Sequence, residues 1–171
     1  MYSTVIITGA SSGFGKGFAE HLAPHCQRMI LIARRESVLQ EMATGIRAQH
    51  GTAVEVWPCD LADSQARATL LTKLCTITDK SILLINNAGL GDYGEFCPSE
   101  QERNRTLIEV NMTAPVELTR AMLPVMLQAD KAGIINIASL AADLAIPDFA
   151  MYAASKSFVA SFSEALRIEL K

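Results

Sequence analysis

Tyr152 and Lys156 stand four residues apart in the stretch YAASKSF, which has the composition of a helix. Four residues is just over one helical turn, so both side chains leave one face, about 6 Å apart along the axis. The chemistry open to such a pair is proton transfer, by a phenol whose anion the neighbouring ammonium stabilises. A free phenol ionises near pH 10, and poising one near 7 takes about 4 kcal/mol of preference for the phenolate. One nearby cation supplies roughly 1–3 pKa units, so a second positive charge is needed. A half-buried core tyrosine beside a solvated lysine has the same spacing, and the pair alone does not choose.

Near the other end of the chain, the β-branched run Val5-Ile6-Ile7 enters Thr8-Gly9-Ala10-Ser11-Ser12-Gly13-Phe14-Gly15, directly before a helical stretch. Glycines in such a turn permit positive φ and let a ligand approach the backbone. The helix start behind them offers unpaired N–H groups and the positive end of a dipole, which suits a pyrophosphate. The spacing, Gly-x3-Gly-x-Gly, departs from the GxGxxG dinucleotide fingerprint. A plain glycine-rich connection is the alternative; placement after the first strand favours a ligand.

Composition removes several other classes of function. Half of the 171 residues are hydrophobic and 19% are charged, which is a folding composition. The net charge of −3, with both signs mixed, leaves no basic footprint for a nucleic acid. MYSTVIITGASSG has neither the basic nor the apolar region of a secretory signal, and no apolar run approaches the roughly 18–20 residues of a membrane span. The expectation is a cytoplasmic protein without membrane contact. Cys26, Cys59, Cys75 and Cys97 form no CxxC pair and read as reduced thiols. His21 and His25 share a helix face but lack the glutamate of an HExxH site, so no metal is expected.

Elements alternate along the chain. Strands are predicted at 5–7, 28–33, 53–57, 81–86 and 133–138, and helices over 13–25, 36–50, 64–74 and 100–128, with a last helix carrying Tyr152 and Lys156. Gly51 closes the second helix, and a glycine-rich bend occupies 89–94. Several strands are apolar at every position, the pattern of strands buried on both faces. The fold class is therefore α/β: a Rossmann-like, doubly wound parallel sheet in a three-layer α/β/α arrangement, with residues 1–171 as one domain.

The chain resembles the short-chain dehydrogenase/reductase family from Val5 to its last residue, on five motifs in order and at family spacing. TGASSGFG resembles the nucleotide-binding turn, and Asn86-Asn87-Ala88-Gly89 the segment after strand four. Asn111 in VNMTAP is similar to the family's helix asparagine. Ser139 falls at the end of strand five, and Tyr152-x-x-x-Lys156 follows at the usual separation. The resemblance implies nicotinamide-dependent oxidation or reduction of a small alcohol, ketone or aldehyde. Tyr152 would be the general acid/base, Lys156 would hydrogen-bond the nicotinamide ribose, Ser139 would hold the substrate oxygen, and Asn111 would keep a relay water near Lys156. The oxidised nicotinamide would be the second positive charge. Cofactor contacts would come from Gly9, Ser11, Ser12, Gly13, Phe14 and Gly15, from Asn87, Ala88 and Gly89, and from Tyr152 and Lys156. Asp60 and Leu61 resemble the adenine-contacting pair, although Asp60 also suits a loop cap.

In an open α/β sheet the end of the second strand lies by the adenine ribose. An acidic residue there repels a 2′-phosphate; this sequence has Ala33-Arg34-Arg35. Arg34 is assigned to that phosphate, which selects NADP(H) over NAD(H), and Arg35 to a solvated helix start. Residues 91–96 and 142–149 are expected along the substrate pocket, where Leu144, Ile146 and Phe149 point to a non-ionic substrate. Phe158, Phe162 and Ala165 read as packing. The family's dimer contact, carried by 100–128 and the last helix, implies a homodimer or homotetramer. Family members continue beyond Lys171 with further strands and a substrate lid, so the fifth strand is expected to have an open edge. An active oxidoreductase and a non-catalytic nucleotide-binding or dimerising fragment both remain open.

Overall fold

A computed structural model describes residues 1–97 and 100–170. Five strands, β1 (Tyr2–Thr8), β2 (Cys26–Ala33), β3 (Ala53–Pro58), β4 (Ser81–Asn86) and β5 (Lys131–Asn136), form one wholly parallel sheet in the order β3-β2-β1-β4-β5. The helices are α1 (Gly13–Leu22), α2 (Glu36–His50), α3 (Ser64–Leu74), α4 (Gln101–Ile108), α5 (Ala114–Met126) and α6 (Ala150–Glu169).

The central strands are apolar over most of their length because alternate residues enter two separate cores. Ile6, Ile30, Ile82 and Leu84 face the layer of α3 and α5, with Leu70, Leu74, Leu118 and Met122. Val5, Ile7, Met29, Leu31, Leu83 and Ile85 face α1 and α2, with Ala19, Leu39 and Ala43. Burying each of these large side chains is worth about 1.5–3 kcal/mol, so the central strands are the most firmly held part of the fold.

Local chemistry sets several boundaries to the residue. Gly51 takes φ 70° and donates to Arg47 O at 3.0 Å, the left-handed close of α2. Asp63 caps α3 by accepting from the N–H groups of Gln65 (2.8 Å) and Ala66 (3.1 Å).

Three expectations need correction. Helix 13–25 stops at Leu22 and tightens into a 3-10 turn over Ala23–His25, since Pro24 has no N–H and its ring crowds the preceding turn. The fifth strand is Lys131–Asn136; Ile137 keeps a bond to Asn86 O at 3.0 Å, beyond which the chain leaves the ladder. The helix predicted over 100–128 is interrupted by a π-turn at Glu109–Thr113, in which Ala114 N–H reaches Glu109 O. Residues 98 and 99, next to its predicted start, lie outside the described residues. Among the described residues β5 pairs with β4 alone, leaving Ile135 at an open edge.

Candidate active site

The chain leaves β1 towards β2 and β3, then returns to the other side of β1 as β4, so the strand order reverses between β1 and β4. Ligands in open α/β sheets bind at the carboxyl ends of strands at such a reversal. Here the two strand ends are tied together. Thr8 Oγ1 accepts from the backbone N–H groups of Asn87 and Ala88, both at 3.0 Å. Asn87 Nδ2 donates to Thr8 O at 2.9 Å and to Gly9 O at 3.3 Å.

That closeness explains the glycines. Gly9 has φ 64°, and a Cβ there would lie 2.8 Å from Ala88 Cα. A Cβ on Gly15 would run into Gly9 O and Asn87 Nδ2, so this glycine serves packing of α1 against the turn. Gly13 has φ 54° with open space where a Cβ would point, leaving the start of α1 accessible.

A cleft of about 330 Å³ opens above these strand ends. Gly9, Ser11, Ser12, Gly13 and Phe14 line one side, and Asn87, Ala88 and Gly89 another. Ala33, Arg34, Arg35, Cys59, Asp60 and Leu61 form the far end. Of the residues expected to touch a cofactor, Gly15 lies beneath the cleft, and Tyr152 and Lys156 stand outside its lining. Asp60 caps its own loop by accepting from Ala62 N–H at 3.0 Å. Arg34 is exposed and has no partner among the described residues. Arg35 is not the free, solvated side chain expected: its guanidinium donates to Ser11 Oγ (3.0 and 3.3 Å) and to Ser11 O (3.1 Å), bracing the glycine turn. The β1–β2 register, which sets Thr8 beside Ile32, brings these residues alongside.

Beyond Gly89 the second half of the site assembles around the π-turn. Asn111, in that turn, is buried; its Oδ1 accepts from Leu90 N–H (2.8 Å), and its Nδ2 donates to Leu90 O and to Ser155 Oγ (both 3.0 Å). Ser155 Oγ in turn donates to Tyr152 O at 2.7 Å, which couples the π-turn to α6. Lys156 is only 5% exposed and donates from Nζ to Ile137 O at 2.8 Å. Its Nζ lies 5.8 Å from the centre of the Tyr152 ring. A Cβ on Gly89 would sit 3.3 Å from that Nζ and 3.6 Å from Asn111 Oδ1, so the glycine admits both groups. Among the described residues no carboxylate pairs with Lys156, and burial holds its pKa below the ordinary lysine value.

Ser139 does not end the fifth strand as expected but lies three residues beyond Asn136, where its Oγ accepts from Ala141 N–H at 3.2 Å and caps the 3-10 turn Leu140–Asp143. No hydrogen bond joins Ser139 to Tyr152. The Tyr152 ring packs edge-on to Phe149, 5.8 Å between centroids.

Sequence reasoning missed several members of this framework. Thr8 and Ser155 were visible as polar residues inside recognised motifs but had no assigned partners. Arg67, buried on α3, joins Glu109 of the π-turn (2.6 Å), Glu117 of α5 (2.8 Å) and the carbonyl of Leu61 (2.6 Å). Asn86 donates to Asn136 Oδ1 at 2.8 Å and to Thr119 Oγ1 at 3.1 Å, and Asn136 donates to Ser163 Oγ of α6 at 2.8 Å. No described group of three or more His, Cys, Asp or Glu side chains is arranged to hold a metal, and no described helix is long and apolar enough to cross a membrane.

Comparison with known proteins follows the same outline. A ketoacyl reductase, HetN, of Nostoc sp. is 32% identical over 167 residues, which is 98% of this chain and 58% of that protein. A short-chain dehydrogenase from Sphingobium yanoikuyae, solved in complex with NADPH, superposes with a TM-score of 0.92 at 36% identity, covering 98% of this chain and 65% of that one. A metagenomic short-chain oxidoreductase, solved in complex with NADP, gives a TM-score of 0.90 at 34% identity, covering 98% of this chain and 75% of that one. The chain thus spans little more than half the length of the Nostoc relative and about two thirds of the Sphingobium structure. The short chain dehydrogenase family model matches residues 3–171, every motif described above included, and the chain belongs to that family of oxidoreductases.

Proposed function

We propose that this chain is the nucleotide-binding and catalytic core of an NADP(H)-dependent oxidoreductase acting on small alcohols, ketones or aldehydes. The observation that carries the reading is Lys156: an ammonium buried beside a tyrosine, next to Gly89 at the border of the cleft, with a single neutral acceptor. Burying a charge without a counter-charge costs stability, and such groups gather at functional sites.

The cleft suits the cofactor on its own chemistry. The accessible N–H groups at the start of α1 suit a pyrophosphate, and the unpartnered guanidinium of Arg34 suits a 2′-phosphate. NADPH and NADP in the two related structures support that choice. When bound, NADPH would supply the hydride to the carbonyl carbon. The Tyr152 hydroxyl donates a proton to the carbonyl oxygen as its π bond is lost, so an alcohol and oxidised cofactor result. Lys156 stabilises the phenolate left behind, and a proton from solvent restores the phenol. Ser139, after releasing Ala141 N–H, is the donor proposed for the substrate oxygen. Asn111 holds the π-turn and α6 at a fixed separation.

Self-association as a dimer or tetramer is proposed through the outer faces of α4, α5 and α6, where Phe158 and Phe162 stack at 6.0 Å and are only partly buried. Four free thiols support a cytoplasmic setting. A second reading rests on the open edge of β5: a non-catalytic nucleotide-binding or dimerising fragment. One experiment separates the two. Consumption of NADPH is followed with a panel of ketones and aldehydes, beside calorimetric binding of NADPH. Turnover that disappears in Tyr152→Phe supports the enzyme. Tight NADPH binding with no turnover on any carbonyl supports the fragment, and absence of nucleotide binding refutes both.

A further inference from the structure

Three aromatic rings run outward from the reacting end of the site. Tyr152 contacts Phe149, 5.8 Å between centroids at 62°, and Phe149 contacts Tyr93, 5.1 Å at 59°. These are edge-to-face and tilted pairings, which attract through the ring quadrupoles and fix relative orientation. Tyr93 ends the row with 67% of its surface exposed. A lone exposed aromatic is ordinary, but this one is held in place on both sides. Asp92 forms an ion pair with Arg103 of α4, and Gly94 N–H donates to Asp148 O at 2.9 Å. The second contact joins the loop after β4 to the loop before α6. Asp148 adopts φ 64°, left-handed backbone that favours glycine, so the junction is strained as well as bonded. Phe149 is anchored in turn, since its carbonyl accepts from Ala153 N–H at 2.8 Å in the first turn of α6.

The charges on the same two loops are one-sided. Glu95, Asp143 and Asp148 are acidic and neither loop carries a Lys or Arg, while Asp92 is offset by its pair with Arg103 of α4. Such a mouth repels carboxylates and phosphates and leaves neutral groups unaffected.

We infer that the row Tyr93–Phe149 is a subsite for the ring of an uncharged aryl ketone or aryl carbinol, whose oxygen-bearing carbon then lies towards the Tyr152 phenol. The inference rests on Tyr152 being the acid/base proposed above and names the substrate class for it. The ketone is reduced to the carbinol, the reduced nicotinamide dinucleotide is oxidised, and Tyr152 supplies the proton.

The test compares acetophenone with cyclohexyl methyl ketone, which differ in ring saturation, using the full chain and NADPH. The expected kcat/KM ratio favours the aryl ketone by about fivefold, the size of an aromatic pair preference. Tyr93→Leu brings the ratio towards one, and Tyr93→Trp keeps it. Because Tyr93 is exposed, the leucine variant is expected to fold, and Phe149→Leu serves as the second probe. A wild-type ratio near one, or a ratio unmoved by both leucine variants, overturns the inference. Saturation-transfer NMR of both ketones on the NADP-loaded chain reads the same contact without turnover. Transfer to the aryl ring protons that falls in Tyr93→Leu supports the subsite, and equal transfer in wild type and variant overturns it. Addition of a carboxylate, in 4-acetylbenzoate, is expected to weaken binding several-fold, and equal binding refutes the charge argument. Aryl binding without turnover of any carbonyl refutes the enzyme reading while upholding the subsite, so the two failures are distinct.

Discussion

Arg34 and Arg35 are adjacent in sequence, yet the structure gives them opposite commitments, and exchanging each in turn separates phosphate recognition from turn bracing. Arg34 is exposed and unpartnered among the described residues, so Arg34→Ala removes nothing from the protein's own hydrogen bonds. If its guanidinium meets the 2′-phosphate, the loss is one charge-assisted contact, about 1.5–3 kcal/mol, or roughly 10- to 150-fold in affinity. Exposure and salt screening place the expected effect in the lower part of that range at physiological ionic strength, and it should grow as salt is lowered. NADH has no 2′-phosphate and should be unaffected. Arg35→Ala breaks three contacts to Ser11 and loosens the turn that both cofactors share. Its effect should be about fivefold, the worth of solvent-exposed hydrogen bonding of about 1 kcal/mol, and equal for NADPH and NADH. The assay is the ratio of NADPH to NADH affinity by calorimetry at two ionic strengths, with kcat/KM on any reducible carbonyl as a second measure. A ratio that stays within about twofold in Arg34→Ala refutes the assignment. A ratio that collapses only in Arg35→Ala means that Arg35 abandons Ser11 for the phosphate.

Lys156→Met should cut turnover by about 100-fold or more while leaving stability near neutral pH undiminished, since it removes a buried ammonium and keeps the apolar stem. Because the folded-state pKa of Lys156 lies below its unfolded value of 10.5, the unfolded chain binds more protons between the two. Wild-type stability should therefore gain a contribution as pH rises through that window, and urea melts near pH 7 and at about pH 9.5 should show it absent from Lys156→Met. Gly15→Ala should cost about 1–3 kcal/mol by pushing α1 off the turn, whereas Gly17→Ala, with open space around it, should stabilise by up to about 1 kcal/mol; equal melting temperatures in the two variants would contradict the packing account. Burial pushes the Cys26 and Cys59 thiols up to about 11, so alkylation at about pH 8 should label the exposed Cys75 and Cys97 first by peptide mass analysis. Cys59 lines the cleft and Cys26 begins β2 away from it, so NADPH should slow only the labelling of Cys59.

The elements that could be read without a structure are those whose boundaries are written in local chemistry. β4 is apolar across Ser81–Asn86 except at its ends, and α2 finishes at a glycine able to turn left-handed. The interruption at Glu109–Thr113 is different in kind. Pro115 stands four residues after Asn111 and has no N–H, so the Asn111 carbonyl cannot receive the ordinary helical bond. In the sequence that proline also fits the first turn of a new helix or a kink, and periodicity continues through it. The decision comes from Leu90, distant in sequence, whose backbone N–H and C=O both bind the Asn111 side chain. Likewise, nothing in two adjacent arginines says which one reaches back to Ser11, because the strand register decides it.

The same distinction accounts for how the site itself is positioned. Apolar packing of α6 against the rest of the molecule tolerates small rotations, because dispersion and hydrophobic burial are non-directional. A proton donor such as the one proposed at Tyr152 must be placed within tenths of an ångström, and besides the bonds from Lys156 to Ile137 O and from Ser157 to Ala142 O, two side-chain networks hold α6. Asn111 grips it through Ser155 at the level of Tyr152, and the Asn86–Asn136–Ser163 chain grips it two turns further on. Each link begins on a different element: the π-turn for the first, the ends of β4 and β5 for the second. Hydrogen-bonded contacts of this sort have no periodicity along the chain, so the fold was readable from pattern, whereas the polar framework that aims Tyr152 and Lys156 emerges only once the strands are in register.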